Sequence, residues 1–516
     1  MVFVVSGRMD ARSSALDRAI ADPPPVRGVH ATSPMSGLRR RSLGFAGLLS
    51  QSVSAIAPCA AAATVPGMLV STSGDGALWA AILGVGLTLP VAAAINQFTK
   101  RVATAGSLYT FTAKGLGATA AFLCGIGLIL GYGFIAMYSF AHIGLQVSNL
   151  LGAMGFEAGS SGSVPLLSVL AAGAACAVVM LRGIGMSARL NLLVESIAVV
   201  VLVALVVVLF RGQGRHPIAW ELLAPQRVPF SGLVVGVVIA ITAFVGFESA
   251  ASLSVEARRP FAAVPRVLIW SPLAAGVLVV AATSVQATGF RAAGVAVGSD
   301  PDPVRTLSAF YGVGWISPIL DCGVAASFFA CALASSTALV RVLMSMGIDG
   351  VLPAVHRTHP VYRTPHLAIG VSLPVVTGVP LLLLAAGVTQ AVGILLVVSA
   401  GGYVLAYALV CLAVPFFLRR IGEFSFGPAV LACGTALGLT GCLSVFLVAE
   451  WRGPRAAGVW LLALGIALGL AGLRRARRHG PHPLGTHDTP IGSEVLGGAR
   501  IPGPGDGATA PVRSPE

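Results

Sequence analysis

The sequence predicts an all-α polytopic membrane protein with twelve transmembrane helices, and three observations predict it. Hydrophobic residues make up 56% of the chain, charged residues 10%, and mean hydropathy is +0.88. A soluble domain carries roughly 25% charged residues. The apolar residues gather into twelve segments, each near the ~20 residues that a bilayer-spanning helix requires. Lys and Arg concentrate in alternate short connections, the pattern that sets membrane orientation. The net charge of +14 is therefore a topology signal, and no nucleic-acid partner is expected.

Residues 1–42 are rich in Pro, Arg and Ser and read as a disordered cytoplasmic tail. Met35 opens Met-Ser-Gly-Leu-Arg-Arg-Arg, a conventional cytosolic leader, which makes it an alternative start to Met1. The apolar segments then run over 43–70, 76–97, 117–147, 164–182, 187–210, 231–255, 265–288, 314–346, 365–386, 390–418, 426–449 and 455–473. Segments 1–5 (43–210) and 6–10 (231–418) form two blocks of five spans, and two further helices occupy 426–473. The membrane domain is thus 43–473, and 474–516 is a second disordered cytoplasmic tail, rich in Gly, Pro and Arg. Pro165 and Pro265 open segments 4 and 7, where a first-turn proline costs no hydrogen bond. Segments 3, 8 and 10 exceed one perpendicular span and must tilt or project beyond the lipid.

Loop charge gives the orientation. Arg39, Arg40 and Arg41 precede segment 1; Lys100, Arg101 and Lys114 follow segment 2; Arg182 and Arg189 flank the turn between segments 4 and 5. Arg258, Arg259 and Arg266 follow segment 6; Arg341, Arg357 and Arg363 follow segment 8; Arg419 and Arg420 follow segment 10. The opposite loops carry Asp75, Glu157, Asp300 and Asp302, with Arg211, Arg215, Arg227, Arg291 and Arg305 as exceptions on that side. Both termini are expected in the cytoplasm. The Cys residues at 59, 124, 176, 322, 331, 411, 433 and 442 lie in apolar segments without metal-type spacing and read as small core residues. No metal and no cofactor is expected.

Two stretches carry the chemistry. In segment 6, Ile241 to Pro260 places Gly246 and Glu248 near mid-depth and ends in a basic loop. A buried carboxylate is costly there, and a helix opened at mid-membrane is tolerated only where it lines a cavity. In segment 1, Pro58 follows Ser50, Gln51, Ser52 and Ser54; proline removes a donor and frees a carbonyl one turn earlier. Two interrupted helices at matching places in two halves point to a transporter binding site. The bland alternative is a pair of kinks that serve packing, to which Ala60–Ala63 are equally suited.

With these residues in view the chain resembles the amino acid–polyamine–organocation permease superfamily. Gly106-Ser-Leu-Tyr109, Gly246-Phe-Glu-Ser-Ala250 with Glu256-Ala-Arg-Arg-Pro260 and Val264-Pro-Arg266, and Arg341 with Gly347-Ile-Asp-Gly-Val-Leu-Pro353 and Arg363-Thr-Pro365 carry the likeness, in order, across about 43–473. The resemblance implies a 5+5 inverted repeat of the leucine-transporter type plus two C-terminal helices. It also implies secondary active transport of amino acids or small amines by alternating access. It implies that the substrate carboxylate meets backbone N–H groups where segment 1 opens, at Ser52, Ser54, Ala55, Ile56 and Ala57. The amino group would meet carbonyls of Phe244, Val245 and Gly246, with Phe244 or Phe247 covering the substrate. Ser-Ala-Ile-Ala-Pro stands where the family has a Gly-x-Gly-type opening, and Asn191-Leu-Leu-Val-Glu195 supplies a carboxylate where some members have lysine.

Glu248 and Glu195 are the coupling candidates, since a carboxylate that gains and loses a proton can link proton flow to motion of the bundle. Glu248 is preferred because it adjoins the opened helix. Protons are expected ahead of sodium, for which Ser335, Ser336 and Thr337 are the candidate ligands. Tyr132, Tyr138, Ser399 and Tyr403 are candidate cavity walls, and Asp321 and His142 read as paired or interface residues. The partners are thus a small amino acid or amine, the coupling ion and the bilayer. Two other classes fit a polytopic chain: a channel or transporter-derived sensor of the same fold, and a membrane-embedded enzyme. No rings of like charge and no catalytic spacing favour either, so no catalytic residue is assigned and the chain is not expected to be an enzyme.

Overall fold

The computed structural model describes residues 38, 41–156, 162–212, 230–294, 303–351, 355–359, 362–388 and 392–477. The expected tails, including the Met35 start, lie mostly outside these residues, as do Glu157, Asp300 and Asp302. Leu38 is buried, and the last helix continues to Arg477.

The described chain is helical throughout: α1 (Phe45–Ile56), α2 (Pro58–Ser73), α3 (Ala77–Thr99), α4 (Leu108–Leu116), α5 (Ala118–Ala153), α6 (Ser163–Arg182) and α7 (Ile184–Gly212). Then come α8 (Phe230–Thr242), a 3₁₀ segment (Phe247–Glu256), α9 (Pro260–Ala293), α10 (Pro303–Phe310) and α11 (Ser317–Ile348). The fold ends with α12 (His366–Ala385), α13 (Val392–Arg420), α14 (Phe426–Trp451) and α15 (Ala456–Arg477). Among the described residues, 11 helical runs are long and apolar enough to cross a membrane. The first two of the twelve expected segments merge into one run of 55 residues, Phe45–Thr99. They merge because Gly74–Gly76 folds as a 3₁₀ turn that leads straight into α3.

The centre of the bundle is α5, which packs on α11 and α13. Small residues allow the closest approach: a Cβ on Gly127 would lie 2.8 Å from the Gly402 carbonyl oxygen. Glycines at such a crossing let two helix backbones touch, which is where membrane helices gain dispersion energy. α1 lies between α7, α9, α11 and the 3₁₀ segment, and α8 packs on α2 and α3. The peripheral helices turn apolar side chains outward: Leu167, Val200, Leu382, Leu437 and Leu468 are all exposed. An apolar outer surface around a packed interior is what lipid as solvent demands, and the chain is an integral multi-pass membrane protein. The cysteines follow the same division. Cys59, Cys124, Cys176, Cys331 and Cys411 are buried, whereas Cys322 is exposed, so the core reading fails for that residue.

Candidate functional site

The first interruption is a consequence of Pro58. Its ring excludes the i−4 bond and clashes with the preceding turn, and the residue before proline avoids the right-handed helical region. Ala57 accordingly takes a left-handed conformation, φ 53 and ψ 61, ending α1 and preceding α2. A non-glycine residue there costs about 1–2 kcal/mol. The second interruption follows Thr242. The chain turns through Ala243–Gly246, Gly246 sits at φ 93, and the 3₁₀ segment begins at Phe247. A ten-residue 3₁₀ run is long for that geometry.

The two interruptions meet. A Cβ placed on Gly246 would lie 2.8 Å from the Cβ of Ala55. Ser52 Oγ donates to the Phe247 carbonyl at 2.6 Å, and Ser249 Oγ donates to the Gln51 carbonyl at 3.2 Å. Gln51 Nε2 donates to the Ala334 carbonyl on α11 at 2.9 Å. The last turns of α1 are thereby tied to the 3₁₀ segment and to α11.

Glu248 is fully buried and held by three donors. Tyr132 Oη reaches Oε1 at 2.6 Å, Tyr407 Oη reaches Oε2 at 2.5 Å, and the Gly246 N–H reaches Oε2 at 3.1 Å. Tyr132 lies on α5 and Tyr407 on α13, so one carboxylate joins the opened helix to two helices of the central packing. Glu195 occupies a different place. Ser327 Oγ donates to its Oε1 at 3.1 Å, and the Cys59 backbone N–H also reaches this carboxylate. The Ala60 N–H donates to Ser327 Oγ at 3.3 Å. Glu195 and Ser327 together cap the N-terminus of α2, where the helix dipole favours an anion.

Beside the breaks lies a cavity of about 40 Å³. Ala55, Ala57, Tyr138, Val245, Phe328 and Cys331 are among its walls, with Thr64, Val65 and Met68 of α2 farther along. His142 stacks on the Phe328 ring, with centroids 4.8 Å apart, and tilts against Tyr138.

The site residues expected from sequence divide in two. Ala55, Ile56, Ala57 and Val245 line the cavity. Ser52 is committed to Phe247, and Ser54 Oγ is buried without a partner. Phe244 and Phe247 are buried away from the cavity, so the aromatic walls are Tyr138 and Phe328 instead. The N–H groups of Ser52–Ile56 belong to α1, and that of Ala57 donates to the Val53 carbonyl. At this break the open helix start is the Cys59–Ala60 end of α2, whose N–H groups meet Glu195 and Ser327. On the other break, the Phe244 and Gly246 carbonyls each accept a local bond, from the Phe247 and Ser249 N–H groups.

Other expected residues find ordinary partners. Arg305 pairs with Asp321 at 3.0 Å, Thr337 donates to the Leu333 carbonyl of its own helix, and Ser399 donates to the Gly131 carbonyl. A third acid completes the set. Glu256 is buried and paired with Arg341, Nη2 to Oε2 2.9 Å. Its backbone carbonyl accepts from the Leu43 N–H, and Leu43 and Ala257 form an isolated parallel bridge. At the same end Tyr109 donates to the Asp349 carboxylate, joining two of the family-like motifs. Burial and that carboxylate hold the Tyr109 phenol well above its ordinary range.

Comparison with known proteins identifies the family. The amino acid permease family profile matches residues 43–466. The chain is similar to the branched-chain amino acid permease BcaP of Bacillus subtilis, 26% identical over 312 residues, which is 58% of this chain and 65% of that protein. The methylthioribose transporter of the same organism is 26% identical over 317 residues, 58% of this chain and 66% of that protein. The BcaP of Lactococcus lactis is 26% identical over 443 residues, 80% of this chain and 91% of that protein. The match thus spans just under two thirds of the first two relatives and most of the third. With its profile match running from the start of α1 well into α15, this chain belongs to the amino acid permease family.

Proposed function

We propose that the protein is a secondary active transporter of amino acids or related small amines in the cytoplasmic membrane, with both termini in the cytoplasm. The observation that carries this reading is the meeting of two helix breaks, Ala57 and Gly246 with Ala55 between them, beside a small apolar cavity. Broken helices at a repeat interface are how such carriers bind substrate at mid-membrane. The run Phe45–Thr99 is 55 residues long. At ~1.5 Å per residue that is roughly 80 Å, more than twice a hydrocarbon core. It crosses twice, and twelve crossings result. Residues 43–210 and 231–418 are the inverted repeats of a permease domain covering 43–473, with 426–473 added.

In this reading the substrate amino group meets the carbonyl ends of α1 and α8, and its carboxylate meets the start of α2. Cavity walls of Ala, Ile, Val, Met and Phe side chains favour a small neutral side chain. The names of the relatives, branched-chain amino acid permeases among them, support the same class. Transport is driven by protons or by exchange. Uptake of radiolabelled leucine, putrescine and glutamate into proteoliposomes tests the proposal. Saturable uptake of leucine or putrescine, with glutamate excluded, is the expected result. A flux linear in concentration indicates a channel, and absence of any uptake or thermal stabilisation across amino acids and amines sinks the carrier reading.

A further inference from the structure

At one end of the bundle lies a cavity of about 870 Å³, far larger than the one beside the helix breaks. Its lining includes Arg41, Arg182, Arg189, Arg258 and Arg363, with Glu256 as its carboxylate. Glu256 is already committed to Arg341, which leaves five guanidinium groups without an ion-pair partner among the described residues. Arg41 precedes α1, Arg182 and Arg189 flank the turn into α7, Arg258 follows the 3₁₀ segment, and Arg363 precedes α12. Separate stretches of chain thus converge their like charges on one concavity. Like charges gathered in one concavity focus a positive potential there and raise the local concentration of anions.

Two further features of the same cavity point to an anion. Ile184 and Gly185, the first residues of α7, line it. The next two N–H groups, of Met186 and Ser187, are turned back onto the Gly183 carbonyl, so the helix start offers its leading donors to the cavity. Arg41 and Arg363 are both held at positive φ, 52 and 53. That strain is carried at two of the arginines that line the cavity, and backbone strain clusters at ligand sites. Met186 and Tyr362, both exposed, form an apolar rim.

We propose that this cavity is a binding site for a phosphate-type oxyanion, held by charge-assisted bonds from the arginines and by the start of α7. Guanidinium forks match a phosphate in geometry as well as charge. The occupant also acts as a clasp. Arg41 and Arg258 flank the Leu43–Ala257 bridge, and an anion shared with Arg182, Arg189 and Arg363 holds that bridge closed against α7 and the segment before α12. The same chemistry is available from a lipid headgroup or from free phosphate, and the apolar rim suits the former. The site stands on its own charge and shape and does not depend on the transport reading.

The test uses the purified full-length protein in zwitterionic detergent, with short-chain phosphatidylglycerol, inorganic phosphate and short-chain phosphatidylcholine as probes, at matched ionic strength. Phosphatidylglycerol should raise the melting temperature by several degrees and slow amide exchange at Leu43 and Arg258, while phosphatidylcholine does neither. An equal effect of inorganic phosphate assigns a free oxyanion; an effect of the lipid alone assigns a headgroup. The triple variant Arg182→Gln, Arg258→Gln and Arg363→Gln alters exposed side chains and should melt like wild type without probe yet lose the shift. Two results overturn the proposal: no shift from either phosphate-bearing probe, or a shift that the triple variant retains.

Discussion

Gly246 and Ala55 are in contact across the two helix breaks. A Cβ on Gly246 would stand 2.8 Å from the Ala55 Cβ and 3.1 Å from its carbonyl oxygen. The backbone at Gly246 has φ 93, a region that a side chain enters only with strain. The position therefore excludes even a methyl group, for two separate reasons.

Gly246→Ala should destabilise by about 2–4 kcal/mol, combining the left-handed penalty with overpacking, and should abolish substrate binding. Adding Ala55→Gly removes the steric partner but not the φ strain, so the double variant should recover part of the melting temperature. Thermal unfolding and ligand-induced stabilisation of the purified variants measure both effects. A Gly246→Ala protein with wild-type stability and affinity would remove this contact from the mechanism.

The tyrosines on Glu248 give a second expectation. Tyr132→Phe and Tyr407→Phe each delete one O–H donor and keep the ring. A hydrogen bond to a carboxylate is worth about 1.5–3 kcal/mol. Because both hydroxyls serve one carboxylate, the double variant should lose less than the sum of the singles. Strict additivity in a double-mutant cycle on transport would mean that the two tyrosines act independently.

How far the sequence carried is best judged at these residues. Pro58 announces the first break because its chemistry forbids an unbroken helix, and Gly246 beside an intramembrane acid announces the second. Their mutual contact was not legible, since nothing local to residue 55 refers to residue 246. For the same reason Tyr407 and Phe328, which lie far along the chain from the breaks, escaped notice. The i, i+4 spacing of Tyr403 and Tyr407, and of Ser327 and Cys331 beside Phe328, was the available signal. The resemblance assigns Phe244 or Phe247 to cover the substrate; in the structure both rings are buried and neither lines the cavity beside the breaks. α1 runs through Ile56 before Ala57 turns left-handed, so the N–H groups that escape helical bonding lie past Pro58, at Cys59 and Ala60, where Glu195 and Ser327 meet them.

Arg341 and Glu256 supply a third expectation. Both are buried, and Arg341 Nη1 has no further partner. Removing one partner of such a pair costs about 3–5 kcal/mol, whereas replacing both is often near neutral. Arg341→Met should therefore lower the melting temperature sharply and speed amide exchange at Leu43, whose N–H donates to Glu256. Glu256→Gln combined with Arg341→Met should restore much of the loss. If the double variant is as unstable as the single one, the arginine is needed for packing and not for charge balance.

The last expectation concerns the two acids that bracket the breaks. Glu248 is held by the opened helix and two tyrosines, while Glu195 caps α2 through Cys59 and Ser327. Both places change shape if the broken helices rearrange, so a proton taken up or released at either is linked to that rearrangement. Glu248 touches the 3₁₀ segment itself and is the stronger candidate. Glu248→Gln removes the charge at nearly constant volume and should leave exchange of internal for external substrate intact while abolishing the response of net uptake to an inward proton gradient. Glu195→Gln should act differently. It withdraws an anion from the helix start where a substrate carboxylate would compete, so affinity for amino acids should rise relative to amines of the same side chain. Uptake into proteoliposomes with and without the gradient, using a matched amino acid and amine pair, separates the two roles. Wild-type uptake indifferent to the gradient rules out proton coupling through either acid. A gradient response preserved in Glu248→Gln but lost in Glu195→Gln reverses the assignment.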